Sequence, residues 1–266
     1  MTIRIFTISH FIPEHYVSNE VFCPLVMGWP TPAGMANDMG GQRLEERSYA
    51  EMRAHYWVWK NQLDRWDFIG FQHYRRLFYW PGVEPADFDY QTRTFAKNRS
   101  ATLLDVSHNR LLAYQSGLGH LDLAPVRALI GGHDIVTVRP WGWSVAEQFK
   151  QAHPPEYWPE LVRAMRELPY WRTHPRHVDF NQRGFYPCNM FVMSRAEFAN
   201  YMDFWWQVMQ VFSARVQPPR ENYQARLYGF LAERIFSLYL PQRRAENSHL
   251  KVVEIPHLTC NSWPKS

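Results

Sequence analysis

The chain has 266 residues, of which 46% are hydrophobic, 16% aromatic and 20% charged, with a formal net charge of +4. That aromatic content excludes a disordered chain, and no run of roughly 18 apolar residues is present to make a membrane-spanning helix. Cys23, Cys188 and Cys260 are widely spaced and form no Cys-x-x-Cys pair, so neither a zinc ribbon nor a disulfide framework is expected. The opening MTIRIFTISHF is too short and too polar for a signal peptide and reads as a strand, which makes a reducing cytoplasm the expected compartment. Lys stands at only five positions (60, 97, 150, 251 and 265) of the 29 basic residues, so the cations are mainly Arg. Planar guanidinium groups match phosphate geometry, whereas the lack of a polybasic block argues against a nucleic-acid stripe.

In chain order, residues 3–8 (IRIFTI) predict a strand that ends at Ser9-His10, and 24–42, with Pro24, Pro30, Pro32, Gly34, Gly40 and Gly41, predict a long loop. Ser48-Tyr-Ala-Glu51 has the pattern of a capping box, with Ser48 as N-cap. The helix it opens runs to about Leu63, with Met52, Tyr56, Trp59 and Leu63 on one face. WDFIGF (66–71) reads as a buried strand. Helical pieces are expected around 104–114 and 122–130, a strand at 135–138, and a helical stretch at 144–167 interrupted at 154–159 by prolines. PCNMFVM (187–193) reads as a further strand. Ser194-Arg-Ala-Glu197 is a second capping box that opens a helix to about Ala214. Residues 221–240 predict a third long helix and 250–255 a last strand. Alternating strands and helices without a linker imply one α/β domain with a parallel or mixed sheet.

The strongest candidate for chemistry is the end of WDFIGFQHYRRLF. In open α/β sheets ligands bind beyond the carboxyl ends of strands, and this position holds His73, Arg75 and Arg76. If the chain stays extended, His73 and Arg75 share one face and Tyr74 and Arg76 the other. Two adjacent Arg suit a phosphate or diphosphate; acidic surface partners are the competing reading. Glu51 reads equally as a helix cap, and Lys60 as a complement to its helix dipole. Asn189, inside an apolar stretch, either binds a sugar hydroxyl or ties a loop, since a buried amide must be satisfied. Arg226, Gly229 and Glu233 share a helix face. The glycine there suggests close approach of another group, and the carboxylate is either a general base or half of a surface ion pair. The twelve histidines show no metal-binding spacing on a helix, and His174-x-x-His177 in a loop is a weak signal. No GxGxxG, Walker A or GxSxG motif occurs, which disfavours a Rossmann dehydrogenase, a P-loop NTPase and an α/β-hydrolase.

Several of these segments together resemble the bacterial family of domain of unknown function 4422, found among capsule, exopolysaccharide and O-antigen synthesis proteins. They are IRIFTISH, Tyr49-Ala-Glu51 through HYWVWKN, DFIGFQHYRRLF, CNMFVMSRAEFANYMDFWW and RLYGFLAERIF, spread from residue 3 to about 240. The sequence departs from that family between Gly41 and Glu46, where Gln-Arg-Leu-Glu replaces the usual Asn-Ile-Ser stretch. The resemblance implies a single-domain GT-A-like fold, that of nucleotide-diphospho-sugar transferases, with a mixed sheet flanked by helices. A nucleotide-binding part would span roughly 1–140 and an acceptor part roughly 141–266. It implies a glycosyltransferase, of hexosyltransferase type, that moves a sugar from a UDP-sugar to a glycan or lipid-linked glycan acceptor in the cytoplasm or at the inner face of the membrane. His10, Lys60, His73, Arg75, Arg76 and His257 would serve the donor diphosphate, Asn189, Arg226 and Gly229 the sugar and acceptor, and Glu233 would be the general base. The usual Asp-x-Asp metal motif is replaced by His73-Tyr-Arg-Arg76, so transfer without a metal cofactor is expected; if a divalent metal is used, Asp38, Asp134 and His257 are its first candidate ligands. A non-catalytic glycan- or nucleotide-binding protein of the same fold is the alternative.

Overall fold

The computed structural model describes residues 1–82, 91–92, 103–120, 122–169 and 179–261. The first strand, β1 (Ile3–Ser9), is apolar towards both faces, as a strand covered on both sides must be. It pairs in parallel with β2 (Phe22–Val26) and β4 (Phe68–His73), and the two-residue β3 (Ala36–Asn37) extends the edge beyond β2. Beyond β4 comes β11 (Phe191–Ser194), antiparallel both to β4 and to β8 (Ile135–Val138). β12 (Val252–Ile255) then lies parallel to β8. The order is therefore β3-β2-β1-β4-β11-β8-β12, a parallel sheet with one reversed strand. From the end of β4 a second wing grows through β5 (Arg76–Phe78), β13 (His257–Thr259), β7 (Leu103–Asp105) and β6 (Gln91–Thr92), while β9 (Trp141–Ser144) and β10 (Arg183–Phe185) pair antiparallel as a separate ribbon.

Period-two alternation distributes the strand side chains between two cores. Phe6, Ile8, Phe71, Phe191 and Met193 pack against α1 (Met52–Asn61), α6 (Arg195–Ser213) and α7 (Leu227–Glu246). Ile3, Ile5 and Val192 face the other way, towards α2 (His108–Leu118) and α3 (Ala124–Gly131). The result is the expected mixed sheet flanked by helices. At Gly70 of β4 an added Cβ would lie 2.6 Å from Val192 Cγ2 and 3.2 Å from Ile5 Cγ1, so side-chain packing across three strands requires glycine there.

Local signals account for most element ends. Ser194 caps α6 by accepting from Glu197 N, but the Glu197 carboxylate does not complete the box; it pairs with Arg243 of α7 at 2.9 and 2.7 Å. The helical stretch 144–167 splits at Pro154-Pro155 into α4 (Val145–Ala152) and α5 (Tyr157–Glu167). Five expectations need correction. The loop read at 24–42 starts only after Val26, because Phe22–Val26 pairs with β1, and it is interrupted at Ala36–Asn37, which pairs with β2. The helix around 104–114 starts at His108, capped by Ser107, because 103–105 joins the sheet. The strand read at 187–193 begins at Phe191, because Cys188 and Asn189 have φ of 74° and 48° and turn the chain. The third helix runs over 227–246, later than expected, because Tyr223–Arg226 forms a 3-10 turn begun by the Asn222 side chain. Ser48 does not cap α1: residues 47–49 form a 3-10 turn, Ala50 takes φ 47°, and the N-cap position falls to Glu51.

Candidate active site

A cleft of about 660 Å³ opens where β1, β2 and β4 reach their carboxyl ends, the position at which open α/β sheets bind ligands. Ser9 and His10 line it from β1, Gly28 and Trp29 from the turn after β2, and His73 to Arg76 from the end of β4. Arg43, Arg47, Ala50 and Glu51 precede α1, Arg53 lies on its first turn, and Arg226 stands at the entry to α7. The expected alternation at His73–Arg76 does not hold. His73 pairs directly with Arg76 across a tight hairpin, and the reversal brings Tyr74 and Arg75 to the same cleft.

The lining is strongly cationic, and the cations fall into two groups. Arg43 is paired with Glu45, and Arg53 lies 3.5 Å from Asp38. Asp38 also accepts from Gly28 N at 2.5 Å, which fixes the turn after β2. Arg47, Arg75, Arg76 and Arg226 make no ion pair among the described residues. Arg47 and Arg226 are exposed at the rim and Arg75 and Arg76 are partly buried, with Arg76 also in the field of Glu51 and Glu233; four guanidinium groups without an ion pair around one cleft give it a positive field suited to an anion. Burial, then Arg75 and Arg226, lowers the pKa of His10, which disfavours a charged ring beside those cations.

Beneath this lining lies a polar floor built on the Cys188-Asn189 turn. Asn189 Nδ2 donates to Glu51 Oε1 at 2.7 Å and to Gly229 O at 3.2 Å. The two ring nitrogens of His55 face Glu51 O at 3.0 Å and Asn189 O at 3.1 Å. His73 Nε2 donates to Cys188 O at 2.6 Å, and Cys188 N donates to Glu233 Oε1 at 2.7 Å. The two carboxylates are driven apart. Burial works to raise the pKa of Glu51, but His73 and the Asn189 amide outweigh it and hold the group below its ordinary range. For Glu233 burial prevails and the pKa is raised, despite Arg234 at 2.6 Å.

Of the residues singled out in the sequence, His10, His73, Arg75, Arg76 and Arg226 meet in the cleft. Lys60 does not: it is exposed at the far end of α1, with Nζ 3.3 Å from the centre of the Trp59 ring. His257 does not either. It is buried in β13 with neither ring nitrogen bonded, and burial, with Arg76 and His73, pushes its pKa down to about 3. Asn189 is buried in the floor and ties Glu51. Gly229 makes room for the chain itself, since an added Cβ would lie 2.7 Å from Ala50 Cβ. Glu233 is absent from the lining, with one oxygen on a backbone N–H and the other on Arg234. The lining carboxylates are Glu45 and Glu51. Sequence reasoning passed over Arg43, Arg47, Arg53 and Trp29. The Gln-Arg-Leu-Glu-Glu-Arg run at 42–47 carried a signal, a pair of arginines four residues apart just before a helix start.

Among the described residues no group of three or more His, Cys, Asp or Glu could hold a metal ion. Asp134 accepts from Lys251 N at the amino end of β8, at the far edge of the sheet from the cleft. His174 and His177 lie outside the described residues. No described helix is long and apolar enough to cross a membrane.

A mixed α/β sheet with an arginine-lined cleft at its strand ends is thus the class of structure. The chain belongs to the family described as domain of unknown function (DUF4422), which matches residues 4–244. Its fold is similar to that of a solved structure described as the apo form of the WbbM bifunctional glycosyltransferase. The TM-score is 0.75 and the identity 22%, over 98% of this chain and 46% of that one, so this chain spans about half of that neighbour's length. No curated protein matches the sequence.

Proposed function

We propose that this protein is a glycosyltransferase that takes a sugar from a nucleotide-diphosphate donor, most simply a UDP-hexose, and passes it to a glycan or lipid-linked glycan in bacterial surface polysaccharide synthesis. The observation that carries the reading is the set of four guanidinium groups without an ion pair, Arg47, Arg75, Arg76 and Arg226, around a cleft at the carboxyl ends of parallel strands. The strand order, with β11 reversed between β4 and β8, supports a GT-A-like arrangement. In it the nucleotide occupies the part built from roughly 1–140, and the acceptor approaches from roughly 141–266, the side of Arg226. Three free, buried cysteines suit a reducing cytoplasm.

The chemistry follows from the charges. As the bond from the anomeric carbon to the diphosphate breaks, negative charge develops on the leaving oxygen. Preoriented cations at that point stabilise the transition state. Of the two lining carboxylates, Glu45 is paired with Arg43 and Glu51 is held through one oxygen by Asn189, so the cleft offers few carboxylate donors to a divalent metal and several guanidinium groups to a diphosphate. The test is UDP release from a panel of UDP-hexoses, with and without EDTA. Turnover that survives chelation is expected. Turnover abolished by EDTA and restored by manganese would overturn the metal-free reading. Binding of UDP with no turnover of any donor, whatever acceptor is offered, would leave the non-catalytic alternative.

A further inference from the structure

Among the described residues Glu51 is the one lining carboxylate that makes no ion pair, although His73 and Arg76 act on it. Its Oε1 is fixed by Asn189 Nδ2 at 2.7 Å; a hydrogen bond from its own backbone N–H holds the carboxylate further, and its Oε2 takes none from another residue among those described. The carboxylate stands at the N-cap of α1 without capping the helix, so its orientation is set by the floor. Asn189 is itself held by Gly229 O, by the His55 ring on its carbonyl, and by a turn whose two residues both have left-handed φ. A carboxylate clamped by its neighbours through one oxygen alone, over a cation-lined cleft, is built to receive a proton.

We propose that Glu51, not Glu233, is the catalytic base for the incoming hydroxyl, and that Asn189 is the positioning residue that aims it. This rests on the glycosyltransferase reading above. In the step, Oε2 takes the hydroxyl proton while the acceptor oxygen bonds to the anomeric carbon on the face opposite the leaving group. The bond from that carbon to the diphosphate oxygen breaks, and its electron pair leaves on the diphosphate, beside Arg75 and Arg76. The proton ends on Glu51, and the configuration at the anomeric carbon inverts. The groups that face Glu51 are His55 on α1, His73 and Arg76 on the hairpin, Cys188 in the turn, Tyr201 on α6 and Glu233 on α7.

The experiment uses the full chain and whichever UDP-hexose the wild type turns over, with UDP release read in water and in sodium azide. Water must lose a proton to react, whereas azide carries none. Glu51→Gln is expected to slow release in water by about 10²–10⁴-fold, to keep UDP affinity within about twofold, and to be restored by azide as glycosyl azide of inverted configuration. Glu233→Gln, which keeps an acceptor for Cys188 N, should show no recovery specific to azide. Asn189→Gly, which removes the amide while keeping a residue that tolerates φ 48°, is expected to lower kcat and to move the acidic limb of its pH profile upward, since the carboxylate loses a hydrogen bond to its charged form. A structural role for Asn189 alone would leave that limb in place. If Glu51→Gln does not fold, Glu51→Asp serves: it keeps the acidic limb while kcat falls. Normal turnover by Glu51→Gln, a loss that azide does not restore, or a product of retained configuration would each overturn the assignment. Failure of the wild type to turn over any UDP-hexose would overturn the broader reading instead.

Discussion

Removing Arg75 should weaken UDP far more than uridine. Arg75 sits at the tip of the β4–β5 hairpin, half-buried, lining the cleft and without an ion pair. A hydrogen bond between charged groups contributes roughly 1.5–3 kcal/mol. At about 1.4 kcal/mol per tenfold, Arg75→Ala should weaken UDP by a factor on the order of 10 to 150. The same range applies to Arg76→Ala, read only after its fold is checked, because Arg76 also faces Glu51 and Glu233. Two internal controls come from the same structure. Arg43 is already neutralised by Glu45, so Arg43→Ala should cost at most about 1 kcal/mol, less than roughly sixfold. Lys60 lies on Trp59 outside the cleft, so Lys60→Ala should leave the affinity unchanged. Titration calorimetry with UDP and with uridine separates phosphate recognition from base recognition, and added salt should weaken UDP alone. If Arg75→Ala and Arg76→Ala both bind UDP like the wild type, or lose uridine as strongly as UDP, the cleft is not the diphosphate site.

Two further outcomes concern stability. Gly229→Ala places a methyl 2.7 Å from Ala50 Cβ and 3.3 Å from Tyr49 O; overpacking of about 1–3 kcal/mol exceeds the helix-propensity gain of about 1 kcal/mol. The Tm should fall by a few degrees, and turnover further, because Glu51 follows Ala50; a raised Tm would show that the contact yields freely. Lowering the pH should also destabilise the protein. Burial depresses His55 to about 4 and His257 to about 3, so below the unfolded value near 6.5 the unfolded chain binds more protons. Their contribution is complete above pH 6.5 and is lost as the pH falls towards 4 and 3, at roughly 1.4 kcal/mol per unit for each group. Denaturant titrations at pH 7 and 5 measure this, and equal stability at both would refute the neutral, buried assignment.

Much of the fold could be read from local chemistry. Two-sided apolar strands, Ser194 at a helix start and the prolines at 154–155 are short-range signals, and each falls where the chain requires it. The missed elements depend on distant partners. β5 and β7 are three residues each and exist because β13 lies between them. The hairpin at His73–Arg76 looked like a strand end because its apolar flank continues to Phe78. No Gly or Pro marks the reversal, and the register is held by β13 and β1 instead.

The floor of the site was harder to read for a specific reason. Left-handed backbone is normally announced by glycine, since other residues adopt it at a cost of about 1–3 kcal/mol. Among the described residues four non-glycines adopt it: Ala50, Cys188, Asn189 and Asn222. Ala50 lines the cleft beside Glu51, Cys188 and Asn189 form the turn that grips both carboxylates, and Asn222 starts the 3-10 turn that delivers Arg226. None of them carries the signal of a glycine; Asn189 stands out only as an amide in an apolar stretch, and Ala50 reads as helix. Strain of this kind persists only where the surroundings over-determine it. Here His55, His73, Gly229 and Glu233 come from three separate elements, α1, β4 and α7, to do so. That convergence separates Glu51 from Glu233. Both are acidic residues at helical positions in the sequence, but Cys188 N and Arg234 hold the two oxygens of Glu233 outside the lining, whereas the turn holds one oxygen of Glu51 and leaves that residue lining the cleft.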